Sequence, residues 1–427
     1  MKTSKSFLLT SVCLCAALSA SATTWTYTPR TDDNNVVGSI TDGQWTLKVT
    51  EFDKENGVLA LGSKTGFVAP EDETKKGVLD LSSPLLVTDT TDSSAAQTTV
   101  TNVVIGTRFL SWCSDVVEIR CDIIGGFEDG EGYYFCGNGN LTNVVLGGSA
   151  TALKSRFLGG NKELKEARLN FPNVRAVGDA ASTSANRLLL FGDETKLSVP
   201  LDVQTIVNPF VTNVYAYALD SCGFIVGDLV LSNVVAIGES AFSGDALSSV
   251  TLKGPLAYLT NSVFVAQDNN VTLTNVVLDL PNLGTVAADA FKNQQYVRSL
   301  ELVSVPTDMG QVTNILASVA TGRNLATDDM YYMGSWDQKK DVRIYVSKRL
   351  WTKAKRDAVT YSAETNPDGY FASTFTDDEK KMIASDPTLA KAFGVLVVKK
   401  DDGTLVRHAF FVDKASPHDP GLMLIIR

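Results

Sequence analysis

Histidine is scarce in this chain, which contains two histidines among 427 residues, at positions 408 and 418. His408 lies in a strand-like pattern and His418 in a proline-containing turn, and neither has a second ligand at metal-binding spacing. The sequence also lacks the motifs of serine hydrolases, zinc proteases, P-loop proteins and dinucleotide-binding enzymes. It therefore predicts no catalytic residues, no metal ligands and no cofactor, which favours a protein that is not an enzyme.

Basic residues are the minority, with 38 Lys and Arg against 48 Asp and Glu and a formal net charge of −10. The pI of about 4.9 disfavours nucleic acids and anionic membrane surfaces as partners, because both repel an acidic protein. Hydrophobic residues make up 44% of the chain and charged residues 20%, which is typical of a folded protein. No segment approaches the roughly 20 consecutive apolar residues of a membrane span.

The N-terminus has the features of a secretory signal peptide. Lys2 and Lys5 precede the apolar run Phe7–Leu18, and the small residues Ala20-Ser21-Ala22 follow it. This arrangement predicts a signal peptide over residues 1–22 that is cleaved after Ala22. We therefore expect the mature protein to be secreted or held at the cell surface.

A sequence repeat organises the middle of the chain. The stretch Leu229–Phe242, LVLSNVVAIGESAF, aligns without gaps to Leu278–Phe291, LDLPNLGTVAADAF, and to Leu169–Ser182, LNFPNVRAVGDAAS. Each copy reads as a short strand followed by a turn and a second apolar segment. A single copy cannot bury its own apolar face, so the pattern predicts a solenoid in which successive repeats stack on one another.

Within one repeat, Leu229, Leu231, Ile237 and Phe242 are predicted to point into the core. The residues from Ile237 to Leu252, IGESAFSGDALSSVTL, resemble the BspA-type leucine-rich repeat of bacterial surface and secreted proteins. This resemblance implies a leucine-rich repeat solenoid and a function in adhesion or binding. Asp245 departs from the family pattern, which often has cysteine at that position.

Two further features set the extent and period of the repeats. A tetrad of the form Val/Leu-Thr-Asn-Val/Ile occurs five times, at Val100–Val103, Leu141–Val144, Val211–Val214, Leu273–Val276 and Val312–Ile315. The predicted apolar anchors are mostly 22 to 27 residues apart, within the 20–29 residues of leucine-rich repeats; they are Leu110, Tyr133, Phe157, Leu219, Phe242, Phe264 and Phe291. The repeats are assigned to residues 100–340, with Arg187–Phe210 as either an irregular repeat or an inserted loop.

Segments of different character flank the repeats. Residues 23–99 alternate aromatic or branched residues with polar ones, which predicts a β-rich cap on the first repeat. Residues 341–367 are expected to form a closing strand and helix followed by a linker, and residues 368–427 a small α+β domain with a helix from about 376 to 393. Strands are predicted there at Val395–Val398, Leu405–Val412 and Leu422–Ile426.

Four cysteines remain after the predicted cleavage, at positions 113, 121, 136 and 222. Cys113 and Cys136 each follow a predicted anchor by three residues, where the resemblance places cysteine, and they are one repeat apart. Stacked repeats bring equivalent positions close enough for a disulfide, so a Cys113–Cys136 bond is possible in an oxidising compartment. The alternative is that all four are buried thiols.

Together these observations predict a secreted or surface binding protein that holds an extracellular protein or glycan on a face of its solenoid. The alternative is a secreted carbohydrate-active or other enzyme, or an accessory protein, with its site in the C-terminal segment. A glycosidase needs only two suitably spaced carboxylates, but the sequence singles out no such pair.

Overall fold

The computed structural model describes residues 23–30, 37–62, 77–130, 132–192, 195–266, 272–287, 289–292, 294, 297, 299–304, 343–346, 394–399 and 405–413. Within these residues the fold is almost entirely β-sheet, and the one helical element with defined bounds is a 3-10 turn at Val203–Thr205.

The N-terminal part forms a mixed eight-stranded sheet. Its strands are β1 (Thr23–Pro29), β2 (Gly38–Thr41), β3 (Thr46–Asp53), β4 (Val58–Leu61), β6 (Leu85–Asp89), β7 (Gln97–Val100), β8 (Asn102–Ile105) and β10 (Ile124–Phe127). Strands β1 to β4 form an antiparallel meander, and β4 then pairs in parallel with β8, which pairs in parallel with β10. The sheet therefore changes from antiparallel to parallel where the repeats begin.

Two parallel ladders follow on one side of the repeats. The first contains β5 (Gly77–Asp80), β9 (Val116–Cys121), β11 (Asn143–Gly147) and β13 (Glu166–Asn170). The second contains β15 (Leu201–Asp202), β17 (Ile225–Leu231), β19 (Ala246–Lys253), β21 (Asn275–Asp279), β23 (Ser299–Ser304) and β24 (Arg343–Val346). Consecutive repeats thus add one parallel strand each.

Short strands form separate parallel ladders. These strands are β12 (Ala152–Leu153), β14 (Ala176–Val177), β16 (Asn213–Val214), β18 (Ala236–Ile237), β20 (Tyr258–Leu259) and β22 (Thr285–Val286). The first four pair in sequence order, and β20 pairs with β22. Each two-residue strand has an inward second residue, so Val177, Val214 and Ile237 are neighbours in register.

The core follows from this register. Leu231 pairs with Leu252, and Leu252 with Leu278, so leucines from successive repeats form a continuous apolar row. Leu229 and Leu231 are fully buried, and Ile237 and Phe242 nearly so, which confirms the predicted inward positions. The ring of Phe264 stacks between those of Phe242 and Phe291, with centroids 5.5 and 5.2 Å away.

The segment Arg187–Phe210 is an irregular repeat rather than a loop set apart from the core. Leu190 and Phe191 are completely buried, and the Phe191 ring packs edge-on against Phe224 at 5.3 Å. The segment also supplies β15, which pairs in parallel with β17. Of the two alternatives that the sequence left open, the structure supports the irregular repeat.

Buried polar side chains join four successive repeats. The Asn138 Oδ1 accepts the N–H of Cys113 at 2.7 Å, and the Asn161 Oδ1 accepts the N–H of Asn138 at 2.8 Å. The Oγ1 of Thr195 then accepts the N–H of Asn161 at 3.2 Å. We call Asn138, Asn161 and Thr195 the polar ladder; because its groups are buried, each bond satisfies a backbone donor that water cannot reach.

The C-terminal strands extend the second main ladder. The predicted closing strand is present as β24, and the predicted hairpin as β25 (Gly394–Lys399) and β26 (Leu405–Asp413), which are antiparallel. β26 also pairs in parallel with β24, so this hairpin continues the sheet of the repeats. The helices predicted within 347–367 and 376–393, and the strand at 422–426, lie outside the described residues.

Candidate binding surface

The turn after β8 has an unusual backbone that sets side chains alternately outward and inward. Arg108, Leu110 and Trp112 have positive φ angles of 60°, 52° and 55°, and in the next repeat Tyr133 and Phe135 have values of 66° and 54°. A non-glycine residue in this left-handed region costs roughly 1–2 kcal/mol. The surrounding structure must therefore stabilise five such residues in two adjacent turns.

Hydrogen bonds between the turns hold this conformation. The N–H of Arg108 donates to the carbonyl oxygen of Gly132 at 3.1 Å, and that of Trp112 to the carbonyl oxygen of Cys136 at 2.8 Å. In the opposite direction, the N–H of Phe135 donates to the carbonyl oxygen of Phe109 at 2.9 Å. These bonds fix the register, so that Leu110 lies beside Phe135 and Trp112 beside Gly137.

The register corrects one prediction from the sequence. Tyr133 was expected to be the apolar anchor of its repeat, but the buried rings are those of Tyr134 and Phe135, each 1% exposed, whereas Tyr133 is only partly buried. Every second residue of the turn, at positions 133, 135 and 137, has a left-handed backbone. The middle one of these three, Phe135, points inward. Tyr133 is therefore a surface residue.

Trp112 lies at this surface with half of its side chain exposed, at 50%. Gly137 of the next repeat has a φ of +69°, and a Cβ atom on it would lie 2.8 Å from the indole ring. That distance is too short for a real contact, so the absence of a side chain at Gly137 is what lets the indole pack against the backbone there. One side of the ring is thereby supported by the protein.

Tyr133 and Arg156 extend the surface beyond Trp112. The Tyr133 ring centroid is 5.4 Å from that of Trp112, with an angle of 37° between the rings. The guanidinium carbon of Arg156, on the following repeat, lies 4.0 Å from the centre of the Tyr133 ring. Such a cation–π contact contributes about 0.5–1 kcal/mol when exposed. We call Trp112, Tyr133 and Arg156 the Trp112 platform.

Charges around the platform are unevenly distributed. Arg108 is exposed and lies on the repeat before Tyr133, where its N–H donates to the carbonyl oxygen of Gly132. Among the described residues, Arg156 forms no ion pair with a carboxylate. Burial raises the pKa of the neighbouring Tyr134 to about 12. The carboxylates of Asp129, Glu128 and Asp179 also contribute to this increase. The platform thus combines two aromatic rings with one guanidinium group.

Cys113 and Cys136, the predicted disulfide partners, are both buried thiols in the structure. Burial raises the pKa of Cys136 to about 11, with a smaller opposing effect of Arg156. The premise of the pairing was wrong, because the ladder bond aligns Cys113 with Asn138 rather than with Cys136. The pairing itself stays a prediction.

Two other exposed aromatic residues lie outside the platform. Phe210 is 60% exposed and Tyr258 is 62% exposed. The Arg175 guanidinium lies 5.5 Å from the Phe210 ring centre, so this pair has the same chemistry as Tyr133 and Arg156 without a neighbouring tryptophan. It provides a matched control for substitutions in the platform.

Metal sites and membrane-spanning helices are absent from the described residues. In these parts of the chain, no group of three or more His, Cys, Asp and Glu side chains is arranged to hold a metal ion. No helix in the same parts is long and apolar enough to cross a membrane.

Comparisons with known proteins give two remote structural similarities. No family profile matches the chain, and no curated protein sequence matches it. A leucine-rich repeat protein from Bacteroides ovatus aligns over 60% of this chain and 69% of its own, with 15% identity and a TM-score of 0.29. The pneumococcal vaccine antigen PcpA aligns over 73% of this chain and 95% of its own, with 10% identity and a TM-score of 0.23. Both TM-scores are below 0.5, so neither similarity establishes a shared overall fold.

Proposed function

We propose that this chain is a secreted or cell-surface binding protein, built as a leucine-rich repeat solenoid of the BspA type, that holds an extracellular partner on the Trp112 platform. The observation that carries the proposal is the half-exposed indole of Trp112, supported from below by Gly137. Tryptophan, tyrosine and arginine are the side chains that most often dominate binding energy at interfaces. The platform brings one of each together.

Rigidity supports the same function. The platform residues stand on backbone that is hydrogen-bonded from repeat to repeat, and their inward neighbours, such as Phe135, are buried. A partner therefore meets side chains that are already ordered, which lowers the entropy cost of binding. This argument favours a binding surface over a flexible loop.

The solenoid part of the proposal rests on the sequence repeat and on the strand register. Each repeat contributes one strand to a main ladder, and equivalent leucines face one another in successive repeats. Export rests on the signal-peptide pattern of residues 1–22. Mass spectrometry of the exported protein tests that part, and we expect a chain that begins at Thr23.

We also propose that binding occurs without turnover, because the sequence offers no nucleophile or base with supporting partners. A binding panel of extracellular matrix proteins and glycans, probed with residues 23–427, tests the function. We expect at least one component to bind the wild type and to bind Trp112→Ala about tenfold more weakly, as for a central interface residue. Phe210→Ala serves as the control and keeps its affinity. Equal losses in both variants would show that Trp112 has no special role.

A further inference from the structure

We infer that the ligand of the Trp112 platform is a carbohydrate that carries a carboxylate group, such as a uronic acid unit in a polysaccharide. This inference rests on the proposed function and specifies the class of its partner. Three features of the platform support it: its size, the shape of its aromatic faces and the placement of its arginine.

The size of the platform fits a sugar better than a folded protein. A stable protein–protein interface buries about 800 Å² on each partner and has a core of several apolar residues. Among the large hydrophobic residues near the platform in the described chain, Trp112 is exposed at 50%, while Phe109, Leu110 and Phe135 are almost fully buried. One half-exposed indole matches the dimensions of a sugar ring.

The shape of the platform is flat and rigid. The Trp112 ring is held against the backbone of Gly137, and the Tyr133 ring adjoins it at an angle of 37°. A pyranose ring presents C–H groups on its face, and these are attracted to the negative face of an aromatic ring. Because Arg156 covers one face of the Tyr133 ring, the half-exposed indole of Trp112 is the surface that a sugar ring can contact.

Arg156 supplies the preference for an anion. The guanidinium carbon of Arg156 lies over the Tyr133 ring, and the N–H donors of a guanidinium project in the plane of the group. A planar set of donors matches a carboxylate with two parallel hydrogen bonds. Because the whole chain has a formal charge of −10, a polyanion is repelled at long range, so recognition must rely on this local contact.

Calorimetric titration with defined oligosaccharides tests the inference. The probes are oligogalacturonides with free carboxylates and the same oligogalacturonides fully methyl-esterified, which keep the rings and lose the charge. The proteins are the wild type, Trp112→Ala, Arg156→Gln and the control pair Phe210→Ala and Arg175→Gln. Circular dichroism shows whether each variant is folded. If Trp112→Ala does not fold, Arg156→Gln still tests the inference.

We expect the wild type to bind the free acid at least tenfold more tightly than the ester, which corresponds to about 1.4 kcal/mol. Trp112→Ala loses binding to both probes, while Arg156→Gln loses only the preference for the acid. The control variants differ from the wild type by less than about twofold.

Other outcomes separate the inference from the proposed function. Equal affinity for acid and ester, or preference for a sulfated oligosaccharide over the carboxylated one, overturns the assignment of a carboxylate. Binding of a protein or a neutral glycan that depends on Trp112 overturns the inference and leaves the proposed function standing. If every partner on the panel binds Trp112→Ala as well as the wild type, both are wrong.

Discussion

The carboxyl group of Asp245 lies in the core beside that of Asp220, and the two side chains are 2% and 3% exposed. Asp220 forms an ion pair with Arg187 at 2.6 Å. Neither carboxyl oxygen of Asp245 accepts a hydrogen bond of normal geometry. Burial and the charge of Asp220 raise the pKa of Asp245 well above its usual value, and the nearby N–H of Cys222 only partly offsets this increase. Asp245 is therefore protonated in the folded protein over a pH range where an exposed aspartate is ionised.

We predict that Asp245→Asn stabilises the protein and that its advantage grows with pH. Asp245 faces the N–H of Cys222 as Asn138 faces that of Cys113, and the Asn138 amide also donates to the carbonyl oxygen three residues back. An amide at position 245 can make both bonds and cannot ionise. We expect about 1–3 kcal/mol at neutral pH, measured by denaturant unfolding.

The pH dependence follows from the raised pKa of Asp245. The unfolded chain loses this proton near pH 4, and the folded protein loses it only at higher pH. The contribution of protonated Asp245 to the stability of the wild type is therefore fully present below the ordinary aspartate pKa. It is lost as the pH rises through the pKa of Asp245 in the folded protein. If the difference in free energy of unfolding between the wild type and Asp245→Asn stays constant from pH 4 to 9, the raised pKa of Asp245 is contradicted.

Removal of the middle residue of the polar ladder tests how the repeats are joined. The Nδ2 of Asn161 donates to the carbonyl oxygens of Phe135 and Leu158, each at 2.8 Å. Asn161→Ala leaves the buried N–H of Asn138 without a partner, at about 1–3 kcal/mol for an unsatisfied group. The carbonyl oxygens of Phe135 and Leu158 keep one donor each, the Asn138 amide at 2.9 Å and the Thr195 hydroxyl at 3.2 Å. We expect a loss of about 1–3 kcal/mol, whereas Asn140→Ala, at an exposed position, changes little.

Gly137 is predicted to control both stability and binding. Gly137→Ala places a methyl group 2.8 Å from the Trp112 ring at a φ of +69°, so the indole must move and the backbone is strained by about 1 kcal/mol. Thermal unfolding and the binding panel both report this change. The control is Gly139→Ala, since a Cβ there meets no atom within 4 Å. Normal binding by Gly137→Ala would show that the indole position is unimportant.

The cysteines are predicted to resist alkylation in the folded protein. Burial raises the pKa of Cys121 to about 12 and that of Cys136 to about 11, so little reactive thiolate is present near pH 8. We expect no labelling by iodoacetamide until the protein is denatured, and then labelling of all four thiols without a reductant. Two labels and a peptide linking Cys113 to Cys136 would show instead that the disulfide forms.

The period of the sequence was sufficient to predict the inward rows but not the details of the turns. Leu229 and Leu231 were predictable because side chains alternate between the two faces of a strand, so residues two positions apart lie on the same buried face. Tyr133 was misassigned because three aromatic residues, Tyr133-Tyr134-Phe135, occur in succession, and the left-handed alternation that selects Phe135 is a property of the backbone. As a result, the predicted anchor lay two residues before the inward residue.

The Trp112 platform was not predictable for a related reason. The position of the Trp112 ring depends on the absence of a side chain at Gly137, in the next repeat. Register between the turns determines which residues meet, and the sequence contains no direct signal of that register. The alternation Arg108-Leu110-Trp112 is visible in the sequence, but it resembles the pattern of an ordinary strand.

The most direct test of the binding surface is the accessibility of Trp112 to a soluble quencher. Trp112 is 50% exposed, whereas Trp25 and Trp45 are completely buried, so the difference in iodide quenching between the wild type and Trp112→Ala isolates this indole. We predict that saturation with the ligand identified on the panel reduces this difference severalfold, because the ligand covers the ring. An unchanged difference at saturation would contradict the claim that the partner binds on the Trp112 platform.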